Sequence, residues 1–454
     1  MQDAIFCTEE IDQNVIIPQV IKLLNSILKL WRKFLSADIV KVFSLTSVFT
    51  LVKMLTGFVS VKIVSIIIGP SGIALLGQLN SFSTMMLNLA SGGITNGIIK
   101  YVSEYKNDNI VKQYISTAYR ITLYCSIFVG ICLLAFHRML SNWIMLSPQY
   151  GYVFIVFGVT ILLYAFNNLL LSVLNGYKEY KLFVKINIVN SILGLLFTVA
   201  LVYFFQLKGA LISAVTFQSV MFFATLWMAR KLPWMKKDFF LGKLESPVVK
   251  KYLQYALMCF VSTATIPVAQ LILRGHVISN ISDVHAGWWE AMNRISGMYL
   301  MVITSSFGVY YLPRLSELET RAELRHEIFK AYKVIVPILI AGFSAIYFLR
   351  EFVIYVLFTK EFQPMERLFI WQLASDFFKI ASWLLAFLMV AKSMTKTYIA
   401  TDILFPAFHV GLSFLMMKTN GVVGITQSSF VSNVLYLITM MVIFRKIIFL
   451  KFSS

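Results

Sequence analysis

The chain has 454 residues, 59% of them hydrophobic and only 13% charged, with a formal net charge of +19. A soluble domain carries roughly 25% charged residues, so this composition excludes a soluble globular enzyme or nucleic-acid binder. It implies an all-α polytopic membrane protein whose solvent is mostly hydrocarbon.

Residues 1–42 read as an N-terminal extension. It has no compact apolar core followed by a small-residue cleavage site, so no cleavable signal peptide is expected. Val20–Phe34 alternates apolar and basic residues at helical spacing, the pattern of an amphipathic helix lying on a membrane surface. The alternative is a dispensable extension.

About twelve apolar runs of spanning length follow. Six of them, Phe43–Ile68, Leu75–Ile99, Tyr114–Phe136, Gly151–Leu174, Ile186–Phe205 and Gly209–Met228, make an N-terminal lobe over 43–228. A basic linker occupies 229–251. The remaining six, Tyr252–Leu273, Ala286–Tyr311, Val334–Phe348, Leu368–Val390, Tyr398–Met416 and Gly421–Phe444, make a C-terminal lobe over 252–444, and 445–454 is a basic tail. The run Val334–Phe348 is the shortest. Ser71–Ser81 (SGIALLGQLNS) and Ala286–Ser296 (AGWWEAMNRIS) share Gly, an amide and Ser in register. Each opens an even span, which suggests two parallel repeats around a cavity, an alternating-access plan.

Basic residues test this map. With both termini cytoplasmic, 28 Lys and Arg fall on the cytoplasmic side, 7 (Arg274 among them) on the other, and 5 within spans, completing the 40. That asymmetry is the positive-inside pattern, so the net charge reports topology and attraction to anionic lipid.

Charges within spans each need a reason, because one at the bilayer centre costs at least ~2.5–3.5 kcal/mol. Lys53 lies mid-span. Lys62 is half a turn out of phase with it and close enough to the external end to snorkel. Glu290 and Arg294 are spaced i,i+4 and can pair, beside Asn293. Asp376 and Lys379 are spaced i,i+3 near mid-membrane. Each pair reads either as a neutralised structural unit or as a cavity-facing cation tuned by its partner. Asp402 and His409 share a face across Pro406 and are candidates for proton coupling, or His409 simply satisfies a carbonyl. Arg120 is placed to meet phosphate headgroups. Asn167 and Asn168 read as cavity polar groups or helix–helix glue. Lys53, Arg294 and Lys379 would give a central cavity a positive potential suited to phosphate, with amides and aromatics suited to sugars.

No P-loop, GxGxxG-helix or HExxH motif occurs. Neither the five histidines nor the cysteines Cys7, Cys125, Cys132 and Cys259 show ligand spacing. No cofactor, metal or nucleic-acid partner is expected, nor is catalysis.

The stretches FTLVKMLTGFVSVKIVSIIIGPSGIALLGQ (Phe49–Gln78), GGITNGIIKYVSEY (Gly92–Tyr105), GWWEAMNRISGMYL (Gly287–Leu300), GVYYLPRLSEL (Gly308–Leu318) and LFTKEFQPMERLFIWQLASDFFKIASW (Leu357–Trp383) resemble Wzx-type flippases. The resemblance runs from about Phe43 to Lys446. It implies the multidrug/oligosaccharidyl-lipid/polysaccharide exporter superfamily and two lobes. It also implies flipping of undecaprenyl-diphosphate-linked O-antigen units from the cytoplasmic to the periplasmic leaflet of the inner membrane for lipopolysaccharide biosynthesis. Hand-over to an O-antigen polymerase, with its chain-length regulator, is implied as well. The alternative in the same superfamily is a cation-coupled small-molecule or drug antiporter, for which acidic cavity residues would be expected.

The map predicts that a cysteine at Lys236 reacts with a membrane-impermeant maleimide only from the cytoplasmic side. Gly69–Ala74 and the segment around His276 face the periplasm. Labelling at position 236 from outside intact spheroplasts would overturn it.

Overall fold

The computed structural model describes residues 38–105, 108–240, 242, 245–392 and 394–448. The amphipathic segment Val20–Phe34 and most of the basic tail lie outside these residues. Within them the protein is built of α1 (Asp38–Ala90), α2 (Thr95–Glu104), α3 (Asp108–Ala135), α4 (His137–Ile144), α5 (Gly151–Gly176), α6 (Tyr180–Ala229), α7 (Ser246–Asn280), α8 (Asp283–Ser306), α9 (Leu312–Glu317), α10 (Arg321–Phe348), α11 (Arg350–Leu357), α12 (Glu366–Ala391), α13 (Thr395–Asn420), α14 (Val423–Ile443) and α15 (Arg445–Ile448), with short 3-10 and π turns between them.

Eight of the described helices are long and apolar enough to cross a membrane. Straight, the 53 residues of α1 would extend about 80 Å, far beyond a hydrocarbon core of roughly 30 Å. The helix breaks instead at Gly69, whose φ of 62° and ψ of −171° lie in a region open to glycine, and Pro70 restarts it. α6 folds back likewise at Gln206 (φ 47°). Each is therefore a hairpin that crosses twice. α7 and α8 are also long enough to span, but they carry internal charges. Counting them, the described residues make twelve crossings.

Three boundaries differ from the sequence reading. The second crossing ends at Ala90 rather than Ile99, because Gly92 and Gly93 both take positive φ and start the separate helix α2. The ninth begins at Arg321, not Val334. Its basic first turns are nucleated by a capping box in which Thr320 and Glu323 satisfy each other's backbone N–H groups. The seventh runs on to Asn280, which carries Arg274 inside the helix rather than into a loop.

The hydrophobic effect does not hold helices together in lipid, so close packing and polar contacts must. At the end of the bundle away from the basic linker these are dense. Gly287 of α8 sits on the Pro70 carbonyl so closely that an added Cβ would overlap it. Trp288 Nε1 donates to the Glu361 carbonyl at 2.9 Å. Lys62 Nζ donates to the Tyr355 and Phe358 carbonyls at 2.7 and 2.5 Å, capping the C-terminal end of α11 where the helix dipole favours a cation. The two segments that echo each other in sequence, Ser71–Ser81 and Ala286–Ser296, thus pack face to face.

Towards the basic face the same two helices part. No residue of α1 from 48 to 60 is buried, nor any of α8 from 297 to 306, whereas Val61, Val64 and Ser65 and then Ile295 and Ser296 are. A cleft therefore opens toward the basic face between α1 and α8. At that face the bundle is bridged elsewhere. Tyr252 of α7 donates to the Tyr114 carbonyl of α3 at 3.2 Å. The Lys251 ammonium reaches the Tyr105 and Tyr114 hydroxyls at 3.3 and 3.0 Å. Hydrogen bonding to Tyr114, then Tyr105, raises the Lys251 pKa above the ordinary lysine value.

Gly287→Ala is expected to lower the melting temperature of the detergent-solubilised protein, since backbone cannot yield to the new methyl; overpacking costs typically ~1–3 kcal/mol. Gly297→Ala, ten residues along the same helix with open space around it, is expected to leave it unchanged. Equal melting curves for the two would contradict the close approach.

Candidate functional site

The charged centre of the molecule is larger than the pair Glu290–Arg294. Glu290 Oε1 accepts from Arg294 Nε at 3.1 Å, and its Oε2 accepts from Arg274 Nη2 at 2.5 Å. Arg274 is 1% exposed, lies 5.5 Å over the Trp289 ring, and donates from Nη1 to Gln78 Oε1 and Ser81 Oγ on α1, both at 3.3 Å. Gly77 of α1 lacks the Cβ that would collide with the Glu290 carboxylate. One carboxylate therefore serves two guanidinium groups, leaving the trio one positive charge in excess. Counting Arg274 among external loop residues is corrected here. Thr263, Pro267, Gln270 and Arg274 fall on one helical stripe, and that periodicity is the signal by which the sequence could have shown it.

Arg294 is the more open guanidinium, with its side chain 19% exposed. Lys53 is exposed and has no acidic partner among the described residues. Its one described contact is the Phe49 ring, 5.8 Å from Nζ. Leu51, Leu55 and Val59 make an exposed stripe along α1. Lys53 projects from the opposite side, in line with Gly57, whose nearest neighbour across the gap is Met298 of α8. That places Lys53 on the cleft.

Asp376 and Lys379 do not pair. Asp376 is 1% exposed, and its Oδ2 accepts from Ser296 Oγ (2.5 Å), Tyr299 OH (2.5 Å) and Gln372 Nε2 (3.1 Å). Three neutral donors converge on this one oxygen, so Asp376 is a fastening between α8 and α12. Lys379, one turn on, faces a separate cavity of about 330 Å³ enclosed by α7, α8, α12, α13 and α14, with Asn293, Asp402 and His409 on its other walls. Its Nζ lies 5.4 Å over the Trp383 ring. Asp402 and His409 share this cavity but no hydrogen bond. His409 Nδ1 is within reach of Ser428 Oγ at 3.2 Å and Ser413 Oγ at 3.5 Å.

The remaining candidates are held by structural contacts. Lys62 caps α11, as described. Arg120 Nε donates to the Gly242 carbonyl at 2.8 Å, tying α3 to the basic linker. Asn167 bonds Gln218 of α6 at 2.9 Å, and Asn168 reaches Thr95 at 3.2 Å and Ser91 at 3.4 Å, joining helices rather than lining a described cavity. Among the described residues no His, Cys, Asp and Glu cluster could hold a metal ion.

The shared carboxylate changes what mutation of the pair should do. Arg294→Ala leaves Arg274–Glu290 intact and is expected to keep normal protein abundance. Glu290→Ala strands a buried arginine at a cost of ~3–5 kcal/mol, and abundance should fall. Adding Arg294→Ala should not restore it, whereas Arg274→Met with Glu290→Gln should. Membrane protein level by quantitative immunoblot decides this, and recovery of Glu290→Ala by Arg294→Ala would refute the shared-carboxylate account.

Residues 39–319 match the family model described as "Polysaccharide biosynthesis protein". The lipid III flippase of Escherichia coli (strain K12) is 25% identical over 392 residues, covering 86% of this chain and 94% of that protein. In fold, the chain is similar to the lipid II flippase MurJ in its inward closed conformation, at TM-score 0.71 and 12% identity over 89% of this chain and 87% of that one. A MATE multidrug transporter of the MOP superfamily in an inward-facing conformation matches at TM-score 0.70 and 14% identity, over 88% of this chain and 94% of that one. The twelve crossings thus adopt the MOP transporter fold, and the chain belongs to the polysaccharide biosynthesis protein family.

Proposed function

We propose that this protein is a flippase for undecaprenyl-diphosphate-linked O-antigen oligosaccharide, moving it from the cytoplasmic to the periplasmic leaflet of the inner membrane. The observation that carries the reading is the uncompensated positive charge on the cleft. Among the described residues Lys53 has no acidic partner, and the Arg274–Glu290–Arg294 trio presents its excess charge through Arg294. In a partly desolvated cleft, such cations favour a diphosphate by charge-assisted hydrogen bonds. A lipid III flippase of similar sequence supports the substrate class.

In this reading the basic face and both termini are cytoplasmic, the cleft is open to the cytoplasm, and the two six-helix halves rock about the Ser71–Ser81 and Ala286–Ser296 contact. Lys53 and Arg294 grip the diphosphate, and Lys379 meets the saccharide beyond it. The isoprenoid tail stays in the bilayer. An apolar groove of about 480 Å³ between α7 and α13, lined by Val261, Val268, Ile272 and Ile403, offers it a lateral path. The flipped unit passes to a polymerase and its chain-length regulator. Drug antiport, the alternative, is disfavoured by the same charges, which repel cationic drugs.

Lys53→Gln is expected to abolish surface polysaccharide in a complemented flippase-null strain at normal protein level, whereas Lys53→Arg retains a measurable fraction. Full complementation by Lys53→Gln would make Lys53 structural and remove this support.

A further inference from the structure

The cavity between α7, α8, α12, α13 and α14 lies off the cleft and carries chemistry that the diphosphate does not require. At about 330 Å³ it is at the small end of ligand clefts, which run roughly 300–1,000 Å³. Two buried polar atoms among its lining residues have no hydrogen-bond partner: Asn293 Nδ2, a donor, and Asp402 Oδ2, an acceptor. Buried polar groups are normally paired, so an unpaired donor and acceptor on one cavity point to a ligand that supplies both kinds of group. A sugar hydroxyl does so. Trp289 and Trp383 are also on the wall, and aromatic side chains commonly line such sites. The third feature is Lys379. Its one described contact is the Trp383 ring, while Asp376 accepts from Ser296, Tyr299 and Gln372 instead. A cation at this depth with no carboxylate bonded to it among the described residues calls for an anion.

We infer that this cavity is a saccharide subsite that reads one ring of the translocated oligosaccharide, with a carboxylate on that ring meeting Lys379 and its hydroxyls meeting Asn293 and Asp402. The inference rests on the flippase reading for the identity of the larger molecule. Other ligand classes match less well. A phosphate or nucleotide finds no arginine fork here. A cationic drug is repelled by Lys379. A metal ion finds one carboxylate beside a competing ammonium. Asn293, Lys379 and Asp402 come from three different helices, so the ring can be oriented as well as bound.

The test uses the full chain in lipid nanodiscs, with free glucuronate and free glucose as probes and tryptophan fluorescence as the signal. Saturable binding of glucuronate is expected, tighter than that of glucose. Lys379→Gln should weaken glucuronate at least tenfold and leave glucose within twofold. Asp402→Asn should weaken both. Lys418→Gln, exposed at the far end of α13, should change neither. Loss of both probes alike in Lys379→Gln, or no saturable binding of either by the wild-type chain, would overturn the subsite. Flipping of undecaprenyl-diphosphate disaccharides ending in a hexuronate or a hexose, measured in proteoliposomes, separates this inference from the one beneath it. Lys379→Gln should slow only the hexuronate. Glucuronate binding without flipping of either lipid would retire the transport reading and leave the subsite standing.

Discussion

One carboxylate shared between two guanidinium groups sets the terms for the rest of this molecule. Without Glu290, Arg274 would be a fully buried cation, and a charge so placed is tolerated only when paired. With it, Arg274 becomes a joint: it holds Gln78 and Ser81 of α1 on one side and α8 on the other. The small residues Gly77 and Gly287 let the backbones approach closely enough for that joint to form. The closed end of the bundle follows from it.

The open end follows from its absence. From 297 to 306 on α8, and from 48 to 60 on α1, no residue is buried, and the described residues place no ion pair between the two helices there. The separation of charge is thus also a separation of roles. Arg274 and Arg294 are fastened by Glu290 and Lys62 by the end of α11, whereas among the described residues Lys53, near the open end, contacts an aromatic ring. A diphosphate entering from the basic face meets the free charge first and the half-satisfied Arg294 next.

The architecture was largely legible from hydropathy and loop charge, because a bilayer imposes span length and orientation on any sequence that crosses it. The misplacements have local causes. Gly92 and Gly93 interrupt an apolar run without changing its hydropathy, so the end of the second crossing was overshot. The first turns of α10 are charged and project past the membrane, so hydropathy alone missed them. Intramembrane charges were visible, but their partners were not. The i,i+4 spacing of Glu290 and Arg294 revealed one contact and concealed the stronger one, which comes from another helix. Spacing likewise suggested an Asp376–Lys379 pair, yet tertiary donors from α8 claimed the carboxylate.

Arg274 also bears on how the protein enters its membrane. It is synthesised sixteen residues ahead of Glu290, on the other side of the turn at Ile281–Ser282. An arginine in a nascent helix raises the cost of inserting that helix alone. Entry of α7 and α8 as one hairpin would bring Glu290 to Arg274 and offset that cost, so the short turn between them suits the second half to begin with a pair of helices rather than with a single one.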